Sequence, residues 1–258
     1  MKYCAGLDIG SRNTKLVIWD DLNRTILFSR FLTTGMTPLE SVQILFRMLQ
    51  EEHGFSAAEI RSVFVTGYGR HLYQPSTKTI TEISAHAIGV RYFHPDCRTI
   101  IDIGGQDAKI ITLDSHGGVN DFVMNDKCAA GTGRFLEMTA MRLHCTCDEL
   151  ADLAAYRDQD ISLTTTCVVF AESEIIGLVA TGQTAPNIAH AVHTSIARRI
   201  HTQMAALAIL EPIVFTGGVA LNRDIGLCLE RELQIPILSP PDPEITAALG
   251  AAILASGT

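Results

Sequence analysis

Apolar and polar positions fall into two nearly matching series along the 258 residues. In the first, the apolar run of "CAGLDIG" predicts a strand that ends at Asp8-Ile9-Gly10-Ser11, and residues 14–19 predict the strand that returns beside it. Residues 25–32 predict a third strand, 39–52 an amphipathic helix, 61–66 a further strand running into Thr66-Gly67-Tyr68-Gly69, and 83–92 a second helix. Nearly a hundred residues after the first turn, "RTIIDIGGQDAKIITLD" repeats the theme. An apolar run leads to Asp102-Ile103-Gly104-Gly105, and residues 109–113 return. Residues 119–125 predict the third strand and 134–144 its helix. A short strand at 168–171 is followed by helices at 173–181 and 188–208. Residues 212–216 read as a buried strand ending in Gly217-Gly218, and helices at 220–233 and 245–255 close the chain.

Three strands, a helix, a strand and a helix, given twice, predict an α/β protein of two related lobes. Pro95 interrupts the pattern, so the expected lobes are 1–95 and 96–242, with the last helix, 243–258 after its proline-rich lead, completing the first.

Composition narrows the class. With 47% hydrophobic and 19% charged residues the chain can bury a large core. A formal net charge of -8 argues against nucleic acid as the main ligand. No signal peptide and no membrane-spanning run is visible, so the expectation is a cytoplasmic protein with no membrane partner. Seven cysteines at irregular spacing do not form a disulfide framework. Cys4, Cys97 and Cys228 read as core, and His144, Cys145 and Cys147 as a structural cluster at a helix end. His190 and His193 share a helix face with no third ligand in sight. Glu172 and Glu174 read as capping a helix.

The repeated turns carry candidate chemistry. Glycine at a strand-to-strand turn lets a ligand approach the backbone, and successive turn N–H groups form an anion-binding concavity. An aspartate at the strand end holds Mg²⁺ through water. Two such turns facing each other would clamp a polyphosphate, with Lys15 and Lys109 balancing charge. Cys128, in "NDKCAAGTGRFLEM", stays open between a buried thiol and a thiolate held at a helix N-terminus.

"GLDIGSRNTK", "DIGGQDAK" and "FTGGVALN" resemble the two phosphate loops and the adenosine-side loop of the acetate and sugar kinase, Hsp70 and actin superfamily. The resemblance implies two ribonuclease-H-like lobes of the actin-like ATPase fold around a nucleotide cleft. Asp8, Gly10, Ser11, Thr14 and Lys15 match the first loop, with Arg12 and Asn13 inside it. Asp102, Gly104, Gly105, Gln106 and Asp107 match the second, and Gly217 and Gly218 the third. These residues are expected to bind ATP or ADP with Mg²⁺. Asp8 and Asp102 would position metal and water with help from Gln106, and no general base is evident.

"NDKCAAGTGRFLEM", "TCVVFAESEII", "TGYGR" and "EISAHAIG" narrow the resemblance to the activators of 2-hydroxyacyl-CoA dehydratases and the ATPase subunits of benzoyl-CoA reductase, over essentially the whole chain. That resemblance implies a homodimer sharing one [4Fe–4S] cluster, with Cys128 and Cys167 as each chain's ligands. It implies an ATPase that drives a low-potential electron, received from a ferredoxin or flavodoxin, into a dehydratase or related reductase. Two other readings remain, a small-molecule (sugar or acid) kinase and a nucleotide switch without a cluster.

Overall fold

A computed structural model describes residues 3–164 and 167–257. The chain opens with β1 (Tyr3–Ile9), β2 (Asn13–Asp20) and β3 (Thr25–Thr33), an antiparallel meander. Helix α1 (Pro38–His53) follows, with proline in its first turn, and Gly54 ends it in the left-handed region, its N–H on the Gln50 carbonyl. Then come β4 (Ser62–Thr66), the two-residue β5 (Lys78–Thr79) and α2 (Glu82–Phe93), whose N-cap Thr81 accepts from the Ser84 N–H. The sheet order is β3-β2-β1-β4-β5, with β4 parallel to β1.

The second series repeats it. Strands β6 (Thr99–Ile103), β7 (Ala108–Leu113) and β8 (Val119–Asn125) are followed by helices α3 (Gly133–Leu143), α4 (Cys147–Ala155), α5 (Val168–Ala180) and α6 (Ala185–Met204). Strand β9 (Ile213–Thr216), helix α7 (Arg223–Leu233), β10 (Ile237–Leu238) and helix α8 (Thr246–Ser256) complete the chain. The order β10-β9-β6-β7-β8 is that of the first sheet, element for element, with β9 parallel to β6.

Two compact units result. One holds 1–97, 113–120 and 240–258; the other holds 98–112 and 121–239. The tip of the β7–β8 hairpin thus groups with the first unit, where the Arg91 guanidinium donates to the His116 carbonyl.

In the first unit β1 is buried from Cys4 to Ile9, because α8 covers it. Helix α8 is built of small residues and lies so close that a methyl group on Gly6 would strike the backbone of Ala248 and Ala252. Gly89 and Gly250 let α2 and α8 meet in the same way, and His86 reaches the Thr246 hydroxyl at 3.1 Å. The second core runs from Ile101, Ile103 and Ile110 through Phe135 and Leu136 to Ile188, Ile196 and Phe215.

Three expectations change, and two short strands are added. Residues 168–171 are not a strand but the first turn of α5; Val168, Val169 and Phe170 are strand formers by propensity, overridden by their context. Residues 220–233 divide into a 3₁₀ turn (Gly218–Leu221) and α7, separated by Asn222, whose side chain caps the Ile225 N–H. Cys145-Thr146-Cys147 is a junction between two helices rather than one helix end. His144 closes α3 in the left-handed region, and Thr146 with Glu149 forms a capping box that starts α4. The edge strands β5 and β10, two residues each, leave no periodicity to read.

Candidate functional site

In the first unit the register pairs Asp8 with Lys15 across the β1–β2 hairpin and with Thr66 on β4. Lys15 Nζ donates to Asp8 Oδ2 at 2.7 Å. The turn is closed by the Gly10 N–H on the Asn13 carbonyl, 3.1 Å. Thr34 braces it: its hydroxyl donates to the Gly10 carbonyl at 2.8 Å and its N–H to the Arg12 carbonyl at 2.9 Å. The buried Thr14 hydroxyl is committed to Thr34 at 3.0 Å. Ser11 and Asn13 are half-buried at the turn and Arg12 is exposed. Gly67 follows β4 with φ +90°, and a methyl group there would strike Asp8 Oδ1 and the Ile9 carbonyl. Glycine at this position keeps the space beside the carboxylate free.

The second unit repeats the arrangement. Asp102 pairs with Lys109 across the β6–β7 hairpin and with Thr216 on β9. Lys109 is 2% exposed and donates to Asp102 Oδ2 at 3.2 Å and Asp107 Oδ2 at 2.7 Å. The Gly104 N–H closes this turn on the Asp107 carbonyl, 2.9 Å. Gly217 follows β9 with φ +88°, its missing Cβ 2.7 Å from Asp102 Oδ1. Gly105 is half-buried, and Gln106 and Gly218 are exposed. The bracing differs, because here the first two N–H groups of α3, from Gly133 and Arg134, donate to the Gly104 and Gly105 carbonyls, each at 2.9 Å.

That bracing leads directly to Cys128. The loop before α3 holds it half-buried, with its N–H on Asn125 Oδ1 and its carbonyl accepting from Asn125 Nδ2. The Thr132 N–H and hydroxyl both bond the Ala129 carbonyl, fixing the turn into the helix. Cys167 is half-buried and is the N-cap residue of α5. A thiolate there lies at the positive end of the helix dipole. Glu172 does not cap α5; it receives the Arg142 guanidinium of α3, Nε at 2.8 Å, and so ties together the helices that follow the two cysteines. Glu174 accepts from the Thr164 N–H and hydroxyl. Cys4, Cys97 and Cys228 are buried.

A model of the BadF/BadG/BcrA/BcrD ATPase family matches residues 5–255. The chain belongs to that family. The activator of 2-hydroxyisocaproyl-CoA dehydratase from Clostridioides difficile is 40% identical over 253 residues, 98% of this chain and 94% of that protein. The activator of lactoyl-CoA dehydratase from Anaerotignum propionicum is 41% identical over 253 residues, 98% and 97% of the two chains. A solved structure of a 2-hydroxyisocaproyl-CoA dehydratase activator from Clostridium difficile with bound ADPNP superposes with a TM-score of 0.94 at 40% identity, covering 99% of this chain and 94% of that one. The two five-stranded sheets are those of the actin-like ATPase fold.

For this member of the BadF/BadG/BcrA/BcrD ATPase family, the contacts of four residues escape a reading by motif. Gly67 is the partner of Gly217, and the parallel pairing of β4 with β1 is what places it against Asp8. The signal was present in "TGYGR", aligned with the Thr-Gly after β9. Thr34 lies past the end of β3, and no spacing rule brings it to Gly10. Arg142 and Glu172 are separated by 30 positions on different helices. Among the described residues no helix is long and apolar enough to cross a membrane.

Proposed function

We propose that this chain is an ATP-hydrolysing, iron–sulfur electron donor that activates an enzyme of the 2-hydroxyacyl-CoA dehydratase type. The single observation that carries the coupling is the pair of hydrogen bonds from Gly133 and Arg134 to the carbonyls of the Gly104-Gly105 turn. A shift of that turn moves the start of α3, and with it the loop of Cys128. Arg142 and Glu172 pass the displacement on to α5 and Cys167.

In each unit the hairpin turn, 10–15 in the first and 104–107 in the second, offers to phosphate the N–H groups that do not close the turn, and the Gly217-Gly218 turn takes the adenosine side. The second hairpin holds two carboxylates against one lysine, a formal surplus of one negative charge. We place Mg²⁺ there, held by Asp102 and Asp107 through water. Asp8 and Asp102 orient the attacking water, and Gln106, exposed at the turn, assists.

The donor set fits a shared cluster. A [4Fe–4S] centre takes four thiolates, and this chain presents Cys128 and Cys167 half-buried at two helix starts. A second copy supplies the other two, as two-fold symmetry requires. Helix α5 leaves Val169, Phe170, Ile176 and Val179 exposed on the element that starts at Cys167, an apolar surface of the kind a homodimer covers. When bound, the cluster supplies a one-electron carrier, filled by a ferredoxin or flavodoxin. ATP changes electron delivery only if ATP and ADP hold the hairpins, and through α3 the cysteines, differently.

The test is iron and sulfide content after anaerobic purification. The expected result is about four irons per dimer, lost in Cys128→Ala and in Cys167→Ala and kept in Cys97→Ala. Iron at about four per monomer, or unchanged in those two variants, would sink this reading.

A further inference from the structure

Helices α6 and α7 meet at a buried cluster of His190, His193, Asp224 and Cys228 that the nucleotide chemistry does not use. His190 Nδ1 and Asp224 Oδ2 are 2.9 Å apart, and each lies 3.9 Å from Cys228 Sγ. Behind them stands a second layer. His193 Nδ1 bonds the same Asp224 oxygen at 2.7 Å, Asn222 Nδ2 bonds His193 Nε2 at 3.1 Å, and Asn222 also caps α7. An amide N–H on Nε2 makes that nitrogen the acceptor, so His193 carries its proton on Nδ1 and donates it to Asp224. On the far side of His190, Nε2 faces the Thr194 hydroxyl at 3.5 Å and the Asp160 carboxylate at 3.9 Å.

The geometry points to a mononuclear site for a borderline-soft divalent cation, Zn²⁺ in the first place, with His190 Nδ1, Asp224 Oδ2 and Cys228 Sγ as ligands. Zinc bond lengths in a tetrahedron put N and O ligands ~3.3 Å apart and each ~3.5 Å from sulfur. The three atoms stand within about half an ångström of that triangle, and water takes the fourth position. One imidazole, one carboxylate and one thiolate form a mixed set that zinc accepts, and a single thiolate does not make an iron–sulfur centre. The outer partners are in place too, since His193 holds the ligating carboxylate and Asp160 and Thr194 face the outer nitrogen of His190. On binding, the Cys228 thiol proton leaves to solvent, and the His190 proton moves from Nδ1 to Nε2, toward Thr194 and Asp160. The site staples α6 to α7, the helix that follows the Thr216-Gly217-Gly218 turn after one 3₁₀ turn.

The experiment uses the full chain, purified in air and stripped with a chelator, titrated with Zn²⁺ alone against a competing indicator and with Co²⁺ alone. One high-affinity ion per chain is expected, retained when Cys128→Ser and Cys167→Ser are combined. Cys228→Ser and His190→Ala each lower the affinity on the order of 100-fold, and His193→Gln by roughly 10–100-fold, the usual effect of an outer partner. Co²⁺ should give the near-ultraviolet charge-transfer band of one thiolate, absent in Cys228→Ser. No uptake by the stripped parent chain would overturn the site whatever the fold of the variants, and so would an ion that vanishes with Cys128 and Cys167. A Cys228→Ser protein that binds Zn²⁺ like the parent would do the same.

Discussion

The two hairpins are built alike and braced differently. Each has an aspartate at the end of its central strand, a lysine opposite it, and a positive-φ glycine after the parallel neighbour strand. Around the first turn the brace is one residue, Thr34, through its hydroxyl and its N–H. Around the second it is main chain, the opening N–H groups of α3. The charges differ as well. Asp8 and Lys15 form a balanced pair with a partly exposed lysine, whereas Lys109 is 2% exposed between two carboxylates. The same motif thus serves as a fixed hairpin in one unit and as a hairpin joined to a helix in the other. Among the described residues it is the second turn whose carbonyls accept from the helix that follows Cys128.

The largest expected effect tests the likeness. Asp8→Ala and Asp102→Ala should each lower ATP turnover by on the order of 10²–10³, the loss typical when a fixed charge-stabilising group is removed. A steady-state ATPase assay checks this, and parent-like turnover in either variant would break the equivalence of the hairpins.

The next effect tests the difference in burial. Lys109→Met removes the cation that the buried Asp102 shares with the partly exposed Asp107 and should cost about 3–5 kcal/mol, as breaking the buried Asp102 pair does. Lys15→Met, where the lysine is 16% exposed and has one carboxylate partner, should cost less, about 1.5–3 kcal/mol. Denaturant melts of both variants would reveal the gap, and equal losses would mean that the two lysines are not distinct.

A third variant addresses the brace itself. A methyl group at Gly133 would stand 3.2 Å from the Gly105 Cα and press on the turn. Gly133→Ala should keep ATP turnover within a few-fold while removing the difference between ATP and ADP in anaerobic chelation of the reduced cluster's iron by bathophenanthroline. A preserved difference would show that the signal does not run through α3. The smallest effect is expected at the other brace: Thr34→Val deletes hydrogen bonds to Gly10 and Thr14 and should cost about 1 kcal/mol. Its thermal unfolding would show it, with the nucleotide dependence of chelation unchanged.

Much of this was legible in the chain. Asp8, Gly10, Asp102 and Gly104 stand out because strands alternate every two residues and a turn between them needs glycine. The repeat then gave the two units the same succession of elements, while the order of strands in each sheet came from the structure. Cys167 was harder to read. Val168, Val169 and Phe170 favour strands, so the first turn of a helix reads as a short strand, although Cys128 before "AAGTGRF" reads correctly as lying ahead of α3. His190 and His193 show their helical spacing, but Asp224 and Cys228 are their partners from another helix some 30 positions on.

The sequence by itself determined most of the local elements, the duplicated hairpin and the membership of the chain in its ATPase family, because periodicity, turn glycines and motif spacing are properties of neighbours along the chain. Only the tertiary structure decided what those elements touch. It set Gly67 against Asp8, laid the N-terminus of α3 on the Gly104-Gly105 carbonyls, joined Arg142 to Glu172, and closed a histidine, a carboxylate and a thiol into one cluster. Each of these contacts depends on how whole helices and strands pack, and packing is fixed by surfaces gathered from distant stretches of chain, which no local pattern encodes.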